Sequence, residues 1–253
     1  MRHKIVYSLV ILFGLFVLSL IFFYPLGRVM GGVFARSDIG SSIAAYPEAL
    51  KEVAGKRKGG YVAYADIPQC LRQAIISVED KRFFSHSGID PFAAIRVFFE
   101  NFKNDDEDHG GSTIGQQLAR AILKVPRAQP SLLAHIGSRF TVMRGTLILE
   151  HDYSKEKILE LYLNSIYFGR GANGIAAAAQ AYFGKNLGEL NESQCIYLAG
   201  LPQTPTTFGL DPEGIRTLER YTHVVATMQR NGYLTEESAH RVRAGELFPH
   251  RDD

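Results

Sequence analysis

The sequence predicts a mainly α-helical protein that follows a single N-terminal membrane-spanning helix. Residues Ile5–Tyr24 carry no charged side chain, and a helix needs about 20 apolar residues to cross a bilayer. From Pro68 onwards, apolar residues recur with helical spacing. Strand signals are few, and the best candidate for a strand is Gly60–Tyr64.

The flanking charges predict the orientation of the N-terminal segment. Arg2 and Lys4 precede it, whereas only Arg28 follows closely. The positive-inside tendency therefore places the N-terminus in the cytoplasm and Gly31–Asp253 outside it. The alternative is a cleaved signal peptide, but its apolar region spans only about 7–15 residues. The longer segment here, with only a weak cleavage site near Ala35, favours a retained anchor.

Composition excludes several classes of protein. With 253 residues, 46% of them hydrophobic and 21% charged, the chain is neither disordered nor collagen-like. A net charge of +2 is too balanced for a protein that binds nucleic acid through its bulk charge. Two cysteines cannot build a zinc cage. A single disulfide between Cys70 and Cys195 is compatible with the sequence, although the apolar neighbours of Cys195 predict an ordinary core position.

The chain divides into an anchor, a tether and a helical body. Residues 1–27 form the cytoplasmic tip and the membrane anchor, and 28–60 is predicted as a membrane-proximal tether because its glycines and basic residues interrupt any long period. An acidic segment, Lys103–Gly111, is predicted as a solvated loop. The predicted helices are Pro68–Lys81, Phe92–Phe102, Ser112–Leu123, Arg139–Glu150, Ser154–Phe168 with Ser154 as its cap, Ala176–Phe183, Asn191–Leu201, Ile215–Arg230 and Glu236–Arg243.

Glu79 is the first candidate for chemistry. It lies at the edge of the apolar face of the helix Pro68–Lys81, where partial burial makes a carboxylate a better proton acceptor. A solvated acid beside Lys81 and Arg82 fits the same pattern. Glu79 and Asp80 point about 100° apart on a helix, so they cannot face each other across a sugar as glycosidase carboxylates do.

The helix Ser112–Leu123 carries the second candidate site. Thr113, Gln117 and Arg120 share one face, opposite an apolar stripe. Hydroxyl, amide and guanidinium donors near a helix N-terminus suit phosphate oxygens. An ordinary solvated face fits the periodicity as well.

Four segments in this order resemble glycosyltransferase family 51, the peptidoglycan glycosyltransferases. The resemblance spans residues 61–214, which defines a glycosyltransferase domain, and places the helices of 215–253 against it. Because the chain has no room for a transpeptidase domain, it resembles a monofunctional member. The segments that carry the resemblance are Glu79–Gly88, Gly111–Leu118, Tyr153–Asn164 and Leu198–Pro205.

The resemblance implies a lysozyme-like α fold and polymerisation of lipid II. In this family, a sugar hydroxyl of the acceptor attacks the anomeric carbon of the lipid-linked growing chain, with inversion to a β-1,4 bond. Glu79 is implied as the general base that accepts the hydroxyl proton. Asp80, Phe83 and His86 are implied as one wall of the same cleft.

The resemblance also implies the donor site, the partners and the location. Ser112, Thr113, Gln117, Arg120 and Arg139 are implied to bind substrate. Mg²⁺ or Mn²⁺ is expected to help neutralise the pyrophosphate, with no organic cofactor. The expected partners are lipid II, the growing strand, the membrane and other cell-wall synthesis proteins, without nucleic acid. The domain is expected on the periplasmic or extracellular face of the cytoplasmic membrane.

Several positions depart from the family pattern. The family usually has Thr at Gly115, Lys at Arg120 and Asn at Ala121. Its Arg-Lys-x-x-Glu motif falls on Ser138–Val142, so the acidic residue is missing at Val142.

Three hypotheses follow from these departures. One is an active glycosyltransferase, and another is a degenerate member that binds lipid-linked glycan or cell-wall proteins without polymerising. The third is a glycan-cleaving enzyme with Glu79 as a lone acid. The anchor and the Gly-Ser-Thr segment (Gly111–Thr113) argue against the third.

Overall fold

The computed structural model describes residues 38–56, 59–92, 111–126, 128, 130–245 and 247–248. The predicted anchor Ile5–Tyr24 and most of Phe92–Phe102 lie outside these residues. Among the helices of the described ranges, none combines the length and the apolar character needed to cross a bilayer.

The mainly α class is confirmed. Across the described ranges the chain forms helices and turns, with no strand beyond an isolated bridge between Tyr167 and Asn173. Short 3-10 helices occur at Tyr64–Asp66, Phe83–Ser85, Leu187–Glu189 and Leu201–Gln203. The α-helices are α1 (Asp38–Gly55), α2 (Gln69–Glu79), α3 (Ile114–Ile122), α4 (Leu132–Asp152), α5 (Lys155–Ser165), α6 (Ile175–Phe183), α7 (Glu192–Gly200), α8 (Pro205–Leu210), α9 (Ile215–Arg230) and α10 (Glu236–Ala244).

The chain folds into two compact units. Of the described residues, those within 38–43 and 84–153 belong to unit 1, and those within 44–83 and 154–248 belong to unit 2.

The core of unit 2 is built where α2, α7 and α9 pack together. Ile75, Leu198 and Val224 are completely buried there. A disulfide joins Cys70 on α2 to Cys195 on α7, with a Cα–Cα distance of 5.9 Å. The sequence leaves this pairing open, and the structure makes it a covalent link between two core helices.

The predicted strand Gly60–Tyr64 is wrong. The Val62 backbone N–H donates to Asn164 Oδ1 at 2.9 Å, and its carbonyl accepts from Asn164 Nδ2 at 2.8 Å. The Tyr64 N–H donates to Glu160 Oε2 at 2.8 Å. Side chains of α5 therefore satisfy the backbone groups that a neighbouring strand would otherwise pair.

Part of the predicted tether is helical, because α1 occupies Asp38–Gly55. Its buried residues are Gly40, Ile43, Pro47, Leu50 and Ala54, which recur every three or four positions as on one face of a helix. Gly40 and Pro47 belong to this buried stripe. Because neither residue is typical of a helix interior, the helical periodicity of the segment is hard to recognise in the sequence.

In unit 1, α3 packs closely against α4. A Cβ built on Gly145 would lie 2.8 Å from Leu123 Cδ1 and 3.2 Å from Ala119 Cβ, so the glycine lets the helices approach. The helix α4 starts earlier than the predicted Arg139, because Ser131 caps it by accepting a hydrogen bond from the Ala134 N–H at 3.2 Å.

The predicted break near Asp152 is confirmed. The helix α4 ends at Asp152 and α5 begins at Lys155. Ser154 is the predicted cap, and its Oγ accepts from the Lys157 N–H at 3.2 Å.

Candidate active site

Glu79 is the last residue of α2, and its side chain is 13% exposed. The structure thus places this carboxylate at the partly buried edge that the sequence predicts. The helix that carries it is held at both ends. Cys70 is disulfide-bonded near the start, and Asn231 Nδ2 donates to Ser77 O and Oγ at 3.2 and 2.8 Å near the end.

Arg220 on α9 lies beside Glu79. Its Nη2 is 4.0 Å from Glu79 Oε1, and its side chain is 14% exposed. Burial lowers the pKa of the Arg220 guanidinium, and the Glu79 carboxylate opposes this shift. Sequence reasoning missed Arg220. The available signal was its place between Thr217 and Val224, both buried on the same helical stripe.

Asp80 and Phe83 form the turn that follows Glu79. The Asp80 N–H donates to Ile76 O at 3.1 Å, and its carbonyl accepts from the Phe83 N–H at 2.9 Å. Phe83 is completely buried, and Lys155 Nζ lies 4.6 Å from its ring centroid. Both residues therefore shape the backbone around the carboxylate, and their role as a cleft wall stays a prediction.

His86 belongs to unit 1 and is buried. Its Nδ1 accepts from the Gly88 N–H at 3.0 Å, so a neutral ring carries its hydrogen on Nε2. Gly88 has φ +92°, and a Cβ there would lie 2.7 Å from Thr146 Cγ2 and 2.9 Å from Glu150 Cγ. This turn accepts only glycine without strain.

Thr113 is the N-cap of α3, and it is buried. Its Oγ1 accepts from the Gln116 N–H at 3.2 Å, and Gln116 Oε1 accepts from the Thr113 N–H at 3.0 Å, which is a capping box. The Thr113 hydroxyl hydrogen is donated to Gly88 O at 2.6 Å. Thr113 therefore organises the loop, and its contact with phosphate stays a prediction. Ser112, one residue earlier, is exposed.

Gln117 and Arg120 lie on the half-buried side of α3. Arg120 Nη1 also donates to Pro126 O at 3.1 Å, which steadies the segment after the helix. The predicted apolar face of α3 is confirmed by the buried residues Ile114, Leu118 and Ile122.

The positions of the family's Arg-Lys-x-x-Glu motif, Ser138–Val142, lie on α4. Arg139 is exposed, and its Nε donates to His135 Nε2 at 3.1 Å. Val142 is 5% exposed, and its carbonyl accepts from Thr146 Oγ1 at 2.8 Å. Position 142 is therefore an apolar packing position in this chain.

Glu150 approaches α3 instead. A Cβ built on Gly115 would lie 3.5 Å from Glu150 Oε1. The Glu150 carboxylate therefore lies within van der Waals distance of position 115, in the N-terminal turn of α3. Glu150 does not fall on the acidic position of the family's Arg-Lys-x-x-Glu motif, so the sequence pattern assigns it no role.

The predicted site residues divide between the two units. Glu79, Asp80 and Phe83 belong to unit 2, where the structure brings Glu79 to Arg220. Unit 1 holds the remaining ones, and it brings the His86–Gly88 turn to Thr113. The unit 1 residues are His86, Ser112, Thr113, Gln117, Arg120 and Arg139.

The protein's own side chains do not form a complete metal site in the described ranges. No three residues of the types His, Cys, Asp and Glu come together there as ligands. Mg²⁺ is often held by one or two carboxylates together with substrate phosphates. The predicted Mg²⁺ or Mn²⁺ therefore stays a prediction, and no chemical step below passes through it.

Comparisons with known proteins identify the family of the chain. The family model "Transglycosylase" matches residues 47–229. Penicillin-binding protein 1A of Aquifex aeolicus is 37% identical over 183 residues, which are 72% of this chain and 24% of the relative. Penicillin-binding protein 1F of Bacillus subtilis is also 37% identical over 183 residues, covering 70% of this chain and 24% of the relative.

A third relative was compared in both sequence and structure. Penicillin-binding protein 1A of Haemophilus influenzae is 34% identical over 223 residues, covering 84% of this chain and 25% of the relative. Its crystal structure at 2.6 Å resolution aligns with a TM-score of 0.44 and 24% identity, over 76% of this chain and 18% of the other. The chain thus spans about a quarter of the length of the relatives it matches in sequence. Because the family model covers most of the described helices, the chain belongs to the transglycosylase family of penicillin-binding proteins.

Proposed function

We propose that this chain is a membrane-anchored peptidoglycan glycosyltransferase that polymerises lipid II into β-1,4 glycan strands. The observation that carries the proposal is the position of Glu79. This residue is a partly buried carboxylate at the end of a braced helix, and it opens the motif Glu79–Gly88. Family membership also supports a lysozyme-like arrangement of the helices. The four segments that resemble the family support the proposal, because the chain covers only about a quarter of the relatives' length.

Glu79 supplies the base in the proposed mechanism. The acceptor hydroxyl attacks the anomeric carbon of the lipid-linked chain from the face opposite its pyrophosphate. As the new C–O bond forms, Glu79 takes the hydroxyl proton. The bond to pyrophosphate breaks, and its electron pair leaves with the phosphate oxygen. Attack from the opposite face inverts the anomeric centre and yields the β linkage.

The polar side of α3 supports the leaving group in this proposal. Arg120 offers N–H donors and a positive charge to phosphate oxygens, and Gln117 offers an amide. Both are half-buried, so a phosphate would bind them in a partly dry environment, where charge-assisted hydrogen bonds are strong.

The proposal places this reaction outside the cytoplasm. The uncharged segment Ile5–Tyr24 anchors the chain, and the enzyme domain acts on the periplasmic or extracellular face. Lipid II, the growing strand and the membrane are its partners, with other cell-wall synthesis proteins beside them.

Incubation of the full chain with labelled lipid II in detergent or vesicles tests the proposal. We expect glycan polymer whose reducing end stays lipid-linked. A lysozyme digest that returns muropeptides identifies the product as β-1,4 glycan. Absence of polymer with a well-folded protein would reject the proposed activity.

The burial of Val142 favours a second candidate function. A degenerate member would bind lipid-linked glycan or cell-wall proteins without polymerising them, because the acid expected at position 142 is missing. If the wild type makes no polymer, Val142→Glu tests this cause. A carboxylate at a 5% exposed position carries a desolvation cost, so a thermal melt must accompany the assay. Val142→Gln is the matched control without charge.

A further inference from the structure

Arg170, in unit 2, has an unusual backbone conformation. Its φ is +50°, and the neighbouring Gly169 and Gly171 have φ +88° and +72°. Glycine adopts this left-handed region freely, whereas a residue with a Cβ is strained there. The chain therefore turns through three left-handed residues, and an arginine stands in the middle, where glycine would fit without strain.

Hydrogen bonds close the turn that carries Arg170. Tyr167 and Asn173 form an isolated bridge, and the Phe168 N–H donates to Ala172 O at 2.9 Å. These contacts define the hairpin 167–173, with Arg170 at its tip. The left-handed conformation of Arg170 is thus set by a hydrogen-bonded turn.

The hairpin 167–173 is also seated closely against α8. A Cβ built on Gly169 would collide with Pro205 O, and one built on Gly209 would lie 2.8 Å from Arg170 N. Backbone therefore packs on backbone at this point. A strained residue that the surrounding structure holds in this way is typical of a functional site.

The Arg170 side chain is exposed and lies over a fixed aromatic ring. Its Cζ is 5.4 Å from the centroid of the Tyr182 ring. The Tyr182 hydroxyl donates to Phe168 O at 2.8 Å, and burial raises the pKa of this phenol to about 12, so the ring stays neutral. Within the described part of the chain, the Arg170 guanidinium forms no ion pair and no hydrogen bond. Its N–H donors are therefore available to an anion.

A short path of contacts joins the hairpin 167–173 to the surroundings of Glu79. The helix α8 begins at Pro205, five residues after Gly200 ends α7, and five residues of chain span at most about 18 Å. The Gly200 carbonyl accepts from Arg220 Nε at 3.2 Å, and Arg220 Nη2 lies 4.0 Å from Glu79 Oε1. A flexible peptide on a substrate sugar at Glu79 extends over distances of this order.

We propose that Arg170 binds a carboxylate of the peptide that lipid II carries, and so selects substrates with an acidic peptide. The inference rests on the proposed polymerisation of lipid II. The muramyl sugar of lipid II bears a short peptide with free carboxylates, and a guanidinium pairs with a carboxylate through two parallel N–H···O bonds. Pyrophosphate is the other anion of this substrate, and the proposed mechanism gives it to Arg120 on α3.

Binding of lipid II to the full chain in detergent tests the inference without depending on turnover. The lipid II is labelled outside its peptide, and fluorescence anisotropy gives the dissociation constant. Arg170→Gly removes the side chain and suits the left-handed backbone, whereas Arg170→Lys keeps the charge. Arg216→Gln is the matched control, because Arg216 is an exposed arginine of the same unit. A second lipid II, with its peptide carboxylates amidated and its pyrophosphate intact, separates the two anions.

We expect Arg170→Gly to raise the dissociation constant for lipid II about fivefold, at the upper end of what an exposed ion pair contributes. Arg170→Lys should lose less, and Arg216→Gln should bind like the wild type. Wild type and Arg170→Gly should bind amidated lipid II equally, because the carboxylates are absent. Added salt should reduce the difference between them for ordinary lipid II.

Thermal melting separates this role from a structural one. Relief of the left-handed strain and the greater freedom of glycine in the unfolded chain oppose each other, so Arg170→Gly should melt close to the wild type. A much lower melting temperature with unchanged binding would make Arg170 a structural residue. Should the glycine variant fail to fold, Arg170→Asn repeats the test, because asparagine tolerates the left-handed region.

The outcomes also separate this inference from the proposed function. Equal binding of lipid II by wild type and Arg170→Gly would overturn the Arg170 site alone if the wild type makes polymer. A loss that persists with amidated lipid II would overturn it as well and assign the contact to pyrophosphate. The expected binding pattern without polymer would reject the activity and leave the site standing. A wild type that binds no lipid II would reject both.

Discussion

The hydroxyl of Thr113 donates to the carbonyl of Gly88 at 2.6 Å, and so it ties the end of the first family motif to the start of the second. The same oxygen caps α3 by accepting from the Gln116 N–H. One buried hydroxyl therefore sets both the start of the helix and the turn that precedes it.

Thr113→Val should destabilise unit 1, because it removes the cap and leaves the Gly88 carbonyl without this donor. Loss of a cap costs about 0.5–2 kcal/mol, and an unsatisfied buried acceptor adds about 1–3 kcal/mol. Thr113→Ser keeps the hydroxyl and should retain most of the stability. Chemical denaturation of the three proteins measures the free energies of unfolding. Equal stability of the valine and serine variants would contradict the bridging role.

Glu79→Gln should fold and bind lipid-linked substrate but polymerise at least about 10²-fold more slowly, since general-base assistance is worth about 10²–10⁴-fold. Glutamine keeps the size of glutamate and cannot accept the hydroxyl proton. Polymer formation from labelled lipid II gives the rate, and thermal melting confirms folding. A rate equal to the wild type would remove Glu79 as the base.

Arg120→Ala should weaken use of the donor far more than it weakens folding. Loss of one hydrogen bond to a charged group typically costs about 1.5–3 kcal/mol. Arg120→Lys keeps the positive charge and should retain more activity, and Lys124→Gln is the control for an exposed charge beyond the end of α3. Unchanged kinetics of Arg120→Ala would show that this side of α3 does not contact phosphate.

Because of Glu160, the stability of unit 2 should change with pH in the acidic range. Burial opposes its ionisation, but hydrogen bonds from Lys157, Tyr61 and the Tyr64 N–H outweigh burial and lower its pKa below the ordinary value of 4.5. Because the folded pKa is the lower one, the stabilisation is present above pH 4.5 and is lost as pH falls below it.

The comparison of wild type with Glu160→Gln tests this dependence. The difference in melting temperature should be largest near neutral pH and should shrink below pH 4.5. Glu156→Gln, an exposed glutamate on the same helix, should show no such dependence. A difference that stays constant with pH would mean that the carboxylate charge of Glu160 does not stabilise the fold.

The Cys70–Cys195 bond should stabilise unit 2. It closes a long loop, with a sequence separation of 125 residues, and such cross-links typically contribute about 2–4 kcal/mol by restricting the unfolded chain. A double Cys→Ala variant should melt at a lower temperature than the oxidised wild type. Reducing agent should lower the melting temperature of the wild type and leave the double variant unchanged.

Local periodicity predicted much of the helical framework. The segment Pro68–Lys81 is α2 within two residues at its ends, and Ser154 caps α5 as predicted. These features depend on residues three and four positions apart, which a linear sequence displays directly. The same holds for the edge position of Glu79.

Other features depend on residues far apart in the chain. The segment Gly60–Tyr64 looks like a strand because its partner, Asn164 on α5, is invisible to any local window. The stripe of α1 is hidden by Gly40 and Pro47, which a local interpretation takes as breaks although both are buried on one face.

The sequence by itself determined the family and the helical class, and it predicted Glu79 as the candidate base. Only the tertiary structure decided which partners surround that carboxylate. The pairing of Cys70 with Cys195 and the approach of Arg220 to Glu79 arise from the packing of α2, α7 and α9. Two residues become electrostatic or covalent partners when they are close in space. The number of residues between them predicts that distance only when both lie on the same helix.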